Sequence, residues 1–136
     1  MSRMLWTATL GPNLDSAGRA RAEAHQALED AGVPPKVIGD AMVVLGEMAS
    51  NAARHARTDF TVTLTLENEI LRLEVFDRDT RPPALLGIDL DSTSGRGLHM
   101  VSGLADDWGW QTAEEDGVSG KIVWAEFSVT ESTESA

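Results

Sequence analysis

Polar and apolar residues alternate loosely over residues 4–10, which include Trp6, Thr7 and Thr9, and Gly11-Pro12 follows. A period of two ended by a Gly-Pro pair predicts a strand and its stop. The run up to Ala31 is rich in Ala, Glu, Arg and Leu, and Gly32 comes next. It predicts a first helix, capped by Asp15 or Ser16 and closed at Gly32. Pro34-Pro35 breaks the chain and opens a second helix, with Pro35 near its first position. There Val37, Ala41, Val44, Met48 and Ala52 step by three or four, giving one buried stripe on a helix that runs to His55 or Ala56.

Two β-rich runs, 60–66 and 70–76, flank Glu67-Asn68-Glu69 and predict a hairpin. Residues 77–94 carry Arg-Pro-Pro, Gly87 and several Asp, Ser and Thr, the composition of a long loop. A loop of that length inside a compact domain usually serves function. Gly95-Arg96-Gly97 opens a third helix, 98 to about 105, and runs 108–112 and 121–129 form a closing strand pair around an acidic, Gly-containing turn. The order is β-α-α-β-β-loop-α-β-β. The later strands fall into two pairs joined by short turns. That predicts an α+β two-layer sandwich, a mixed, mostly antiparallel sheet with helices on one face, rather than a doubly wound sheet. Residues 1–130 are expected to form a single domain and 131–136 a disordered tail.

Composition narrows the classes. The 136 residues include no cysteine, so disulfides and thiolate chemistry are excluded. The net charge of −11 argues against direct nucleic-acid binding. No run approaches the ~18 apolar residues of a membrane helix, and no charged, apolar leader opens the chain. The expectation is a cytoplasmic protein that neither enters a membrane nor binds DNA. An anionic ligand would need local help from backbone N–H groups, a helix N-terminus or a cation.

Three features can carry chemistry. In "LGEMASNAARHA", residues 45–56, Glu47, Asn51 and His55 recur every four positions. On an α-helix they share one face, beside the apolar stripe and not opposite it. By themselves they fit a solvated helix face. They also fit a metal site, although the usual zinc helix carries two His where this one has one. Second, the run Leu73-Glu74-Val75-Phe76 ends on Asp77. A strand-end carboxylate can cap a turn. It can also accept a hydrogen bond from a ligand's amino group, such as that of adenine. Third, Thr93-Ser94-Gly95-Arg96-Gly97-Leu98 places two glycines at a helix start, where backbone N–H groups can approach an anion. Neither a P-loop nor a Gly-x-Gly-x-x-Gly fingerprint is present.

Taken in order, a Glu-x-x-x-Asn helix, a hairpin ending in Asp, a long loop and a Gly-x-Gly helix start, the sequence resembles the GHKL superfamily of ATP-binding domains. Within it the chain looks most like the stand-alone anti-sigma-factor serine/threonine kinases. The N-box matches residues 47–55, the first glycine box Val75-Phe76-Asp77, and the second Gly95-Arg96-Gly97-Leu98. The strand Gly120-Lys121-Ile122-Val123-Trp124-Ala125-Glu126 resembles their last strand.

The resemblance implies ATP and Mg²⁺ as cofactors. Asn51 would hold Mg²⁺, and Glu47 would be the general base toward a Ser or Thr hydroxyl on a partner. Asp77 would accept the adenine amino group. Ser94, Gly95, Arg96, Gly97 and Leu98 would line the phosphates, His55 would approach phosphates or lid, and residues 78–94 would form the lid. The implied partners are proteins, a sigma factor and a small antagonist, and dimers are common among the resembled kinases. A non-catalytic partner-switch module of the same fold is the alternative. Two departures stand out. The first glycine box usually reads Asp-x-Gly-x-Gly; here it is Asp77-Arg78-Asp79-Thr80-Arg81. On the last strand, Ile122 is expected where a Thr often lies beside the nucleotide. His25 and His99 are read as helix-surface groups, and Trp108, Trp110 and Trp124 as core or its margin.

Overall fold

A computed structural model describes residues 2–56, 58–80 and 103–130, without the side chains of residues 14, 55 and 56. The predicted lid beyond Thr80, the second glycine box, His99 and the 131–136 tail lie outside the described residues.

Strand β1, Ser2–Leu10, leads through Gly11 into helix α1, Leu14–Asp30. The cap of α1 is Asn13, not Asp15 or Ser16: its side chain accepts from the Ser16 N–H, and the Ser16 hydroxyl donates to the Gly11 carbonyl. At the far end Gly32 takes φ +78°, its N–H donates to Glu29 O, and Val33 N–H reaches Leu28 O. That paired closure needs a left-handed residue, which glycine adopts without steric cost. Helix α2 is Pro35–Asn51, and its buried residues include Ile38, Ala41, Val44, Leu45, Met48 and Ala49.

Helix α2 stops earlier than the periodicity suggests. Ala52–Ala56 form a π-helical turn instead. Its wider winding departs from the α-helical repeat after Asn51.

Strands β2, Phe60–Glu67, and β3, Ile70–Asp77, form the first hairpin. Its turn residues Asn68 and Glu69 both have positive φ, 53° and 64°, as the favoured two-residue turn requires. Strands β4, Asp107–Glu115, and β5, Val118–Ser128, form the second around Asp116-Gly117, which have the same handedness. Among the described residues the sheet order is β1-β2-β3-β5-β4 and every pairing is antiparallel. Gly103 and Leu104 are helical; the rest of the predicted third helix before them lies outside the described residues.

One face of the sheet is the core. Phe60, Val62 and Leu64 of β2, Leu71, Leu73 and Val75 of β3, and Val123, Ala125 and Phe127 of β5 are buried together with the α1 and α2 stripes. The opposite face carries Thr61, Thr63, Arg72, Glu74, Trp124 and Glu126. Trp108 and Trp110 pack against the core margin, whereas Trp124 lies under the Arg72 guanidinium on the other face, 4.5 Å from the ring centre.

Candidate functional site

Alternation puts Asp77 on the core face of β3, in the row after Val75. The register sets Lys121 of β5 directly opposite it. From the sequence, Ile122 is expected at this point. Ile122 instead pairs with Phe76, on the other face. The residue beside the strand-end carboxylate is therefore a lysine.

Asp77 and Lys121 are both buried, 3% and 4% exposed. Lys121 Nζ lies 2.9 Å from Asp77 Oδ1 and donates also to the Asp79 carbonyl at 3.0 Å. The Asp79 N–H donates to the same Asp77 oxygen at 2.9 Å. A buried carboxylate is thus held by one ammonium and one amide, and the Asp77–Asp79 turn closes over the lysine. Gly120 makes this closure feasible: a Cβ there would stand 2.0 Å from the Asp77 carbonyl oxygen. No lone sequence motif announced Lys121. The available signal was its parity with Val123 and Ala125, which aims it inward.

The helix side is positioned by the direction of α2. Pro34, Lys36, Val37 and Asp40, at its start, line a cavity of about 610 Å³ together with Phe127 and Ser128. Those β5 residues pair with Leu71 and Ile70, so α2 begins at the Ile70 end of β3. A helix of 17 residues is about 25 Å long, close to the span of the eight residues of β3 at about 3.3 Å each. Its C-terminal turn therefore arrives at the Asp77–Lys121 end, where the π-turn packs on β3 and Ala52 and Ala53 enter the core. Glu47 and Asn51 are half-buried one turn apart near this end. The direction and length of α2 thus run its Glu47 and Asn51 end toward the Asp77 end of β3. The His55 side chain, Ser94, Gly95, Arg96, Gly97 and Leu98 lie outside what is described.

The residues match a nucleotide unevenly. Asn51 offers an amide oxygen for a hydrated Mg²⁺ and Glu47 a carboxylate within the same turn, which suits the phosphate side. The base side does not fit as expected. Of the Asp77 carboxylate, expected to accept an adenine amino group, one oxygen, Oδ1, already takes two hydrogen bonds, one from a buried cation. Among the described residues no three His, Asp or Glu cluster into a metal cage, and no helix is long and apolar enough to cross a membrane.

The other face of β3 and β5 holds a second charged group. Arg72 bonds Glu74 and Glu126, each at 2.7 Å, with all three side chains about 30% exposed. Burial works against the Arg72 charge, but the bonds to the two glutamates outweigh it and raise its pKa. Glu115 at the end of β4 has its pKa raised by partial burial, and then by the charges of Glu74 and Asp116.

The sequence matches the histidine kinase-like ATPase domain over residues 10–127. A search of curated proteins finds no match. Among solved structures, the chain is similar to the SiaB–SiaC complex from Pseudomonas aeruginosa, with 14% identity, a TM-score of 0.70, and 92% of this chain and 91% of that chain covered. It is also similar to the RsbU and RsbW domains of a Mycobacterium tuberculosis protein, with 19% identity and a TM-score of 0.68 over 91% of this chain. The match spans 32% of that longer chain. At these identities the likeness is one of fold, and it agrees with the α+β sandwich of a GHKL-type ATPase.

Proposed function

Because the chain belongs to the histidine kinase-like ATPase domain family, whose fold implies ATP binding, we propose that it is a cytoplasmic ATP-dependent regulator that switches between protein partners. In one state it holds a sigma factor or comparable protein. In the other it transfers phosphate to a Ser or Thr of a small antagonist protein. The observation that supports this reading is the Glu47–Asn51 pair, half-buried on the last turn of α2 at the end of the sheet where Asp77 lies.

Phosphoryl transfer asks a protein for charge neutralisation and placement more than covalent chemistry. MgATP would supply the phosphoryl group and the neutralising cation. On this chain Asn51 would hold the metal by its side-chain oxygen, and Glu47 would accept the proton of the attacking hydroxyl. The fold neighbours include one protein solved in complex with another, which supports a protein as the partner here.

A transfer assay with labelled ATP and the partner captured from the native cell tests the proposal. Glu47→Ala should lower phosphotransfer by about 10²–10⁴-fold while nucleotide binding persists. Equal loss of both would remove Glu47 from the role of base. The Asp77–Lys121 pair favours a second reading, a partner-binding module without transfer. That module would capture its partner with no phosphate moved by wild-type protein.

A further inference from the structure

The buried Asp77–Lys121 pair lies where the proposed site would read the base, and the following inference rests on that reading. The geometry points to Lys121 as the residue that sets base specificity, by engaging Asp77 and converting a site for an amino group into one that admits 6-oxopurine nucleoside triphosphates at least as well as ATP.

Donors and acceptors decide which base the pair admits. A lone buried carboxylate offers acceptors only. It rewards an amino group at the purine 6-position and repels a carbonyl oxygen there, and a site built around such a bond can reject the mismatched base by orders of magnitude. Here the acceptor is not alone. Lys121 Nζ stands 2.9 Å from Asp77 Oδ1, and the Asp79 N–H takes the same oxygen. An amino group that seeks that oxygen must compete with a tethered ammonium and a backbone amide. The pair therefore offers a donor beside an acceptor: a 6-oxo group can take the remaining N–H of the ammonium while the purine N1–H meets the second carboxylate oxygen, Oδ2, a match that a lone carboxylate cannot make.

Two further facts hold Lys121 in this role. Its second bond, to the Asp79 carbonyl at 3.0 Å, ties it to the turn that follows β3. The register pairs it with Asp77 across two central strands, so withdrawal would leave both charges buried and unpaired.

Calorimetry with the Mg²⁺ complexes of ATP and inosine triphosphate tests this. The two differ at the purine 6-position in the relevant way, amino against oxo. Wild-type protein should bind inosine triphosphate as tightly as ATP or more so. Lys121→Thr should shift the ratio toward ATP by about tenfold or more, and Lys121→Arg, which keeps a cation on Asp77, should retain the wild-type ratio. Thermal melts confirm that each variant is folded. Should Lys121→Thr fail to fold, the wild-type ratio alone decides. Wild-type preference for ATP by about tenfold or more overturns the inference and leaves the nucleotide reading intact. An unchanged ratio in folded Lys121→Thr overturns it as well. Absence of binding by wild type and variants alike overturns both.

Discussion

Strands β3 and β5 carry a charged group on each face, and the two groups differ in nearly everything but the strands they share. On the core face Lys121 and Asp77 are almost wholly out of water. On the open face Arg72 spans Glu74 and Glu126 with each side chain about 30% exposed, and its guanidinium also lies over Trp124. Desolvation separates them. The open-face group keeps part of its hydration, so its bonds add modestly and any member can be lost at modest cost. The core-face pair has given up its water, and each charge depends on the other. A buried pair at the end of a core, where apolar side chains would suffice, draws notice as a site. The open-face network reads as scaffold.

This comparison can be broken by mutation. Lys121→Met should cost about 3–5 kcal/mol, because Asp77 is left buried and uncompensated, whereas the double variant Asp77→Leu/Lys121→Met should recover most of that loss. Urea denaturation of the three proteins checks it. A small loss for the single variant would mean that water already reaches Asp77. Gly120→Ala should come next, at about 3 kcal/mol, since its Cβ would run into the β3 backbone and no flexible side chain can yield. The same titration measures it.

Arg72→Ala should cost less, about 1–2 kcal/mol, from two partly solvated pairs and the ring contact. Added salt should narrow that difference far more than it narrows the Lys121→Met one. The smallest effect concerns Glu115. Its pKa is raised in the fold, so the folded state holds the proton longer than the unfolded chain. Stability therefore falls as pH climbs from the ordinary glutamate value of 4.5 through the raised value. Glu115→Gln should flatten that decline, read from melting temperatures across the range.

The sequence made the elements legible because their signals are local. β-rich runs around short polar turns marked both hairpins, and Gly32 marked the end of α1. Three points required the third dimension. The cap moved to Asn13 because the Ser16 hydroxyl turned back to Gly11. Helix α2 ended at Asn51 because a π-turn changed the winding, which no spacing count reveals. Most consequential, Lys121 is an ordinary surface residue type until the β3–β5 register aims it at Asp77. Cross-strand partners are non-local, and a slip of one residue exchanges the two faces. Reading Ile122 at that point was such a slip. Glu47, Asn51 and Asp77 stood out by spacing and order, and the π-turn that follows α2 packs on β3, the strand that ends at Asp77.

The central claim is that this end, bounded by the last turn of α2 and the ends of β3 and β5, is the nucleotide site. Titration of ATP into wild-type and Asn51→Ala protein, with and without Mg²⁺, tests it most directly. The account predicts wild-type binding that depends on Mg²⁺, and a loss of about tenfold or more on removing the Asn51 amide. Wild-type protein that binds no nucleotide, or an Asn51→Ala variant that binds as tightly as wild type, would contradict it.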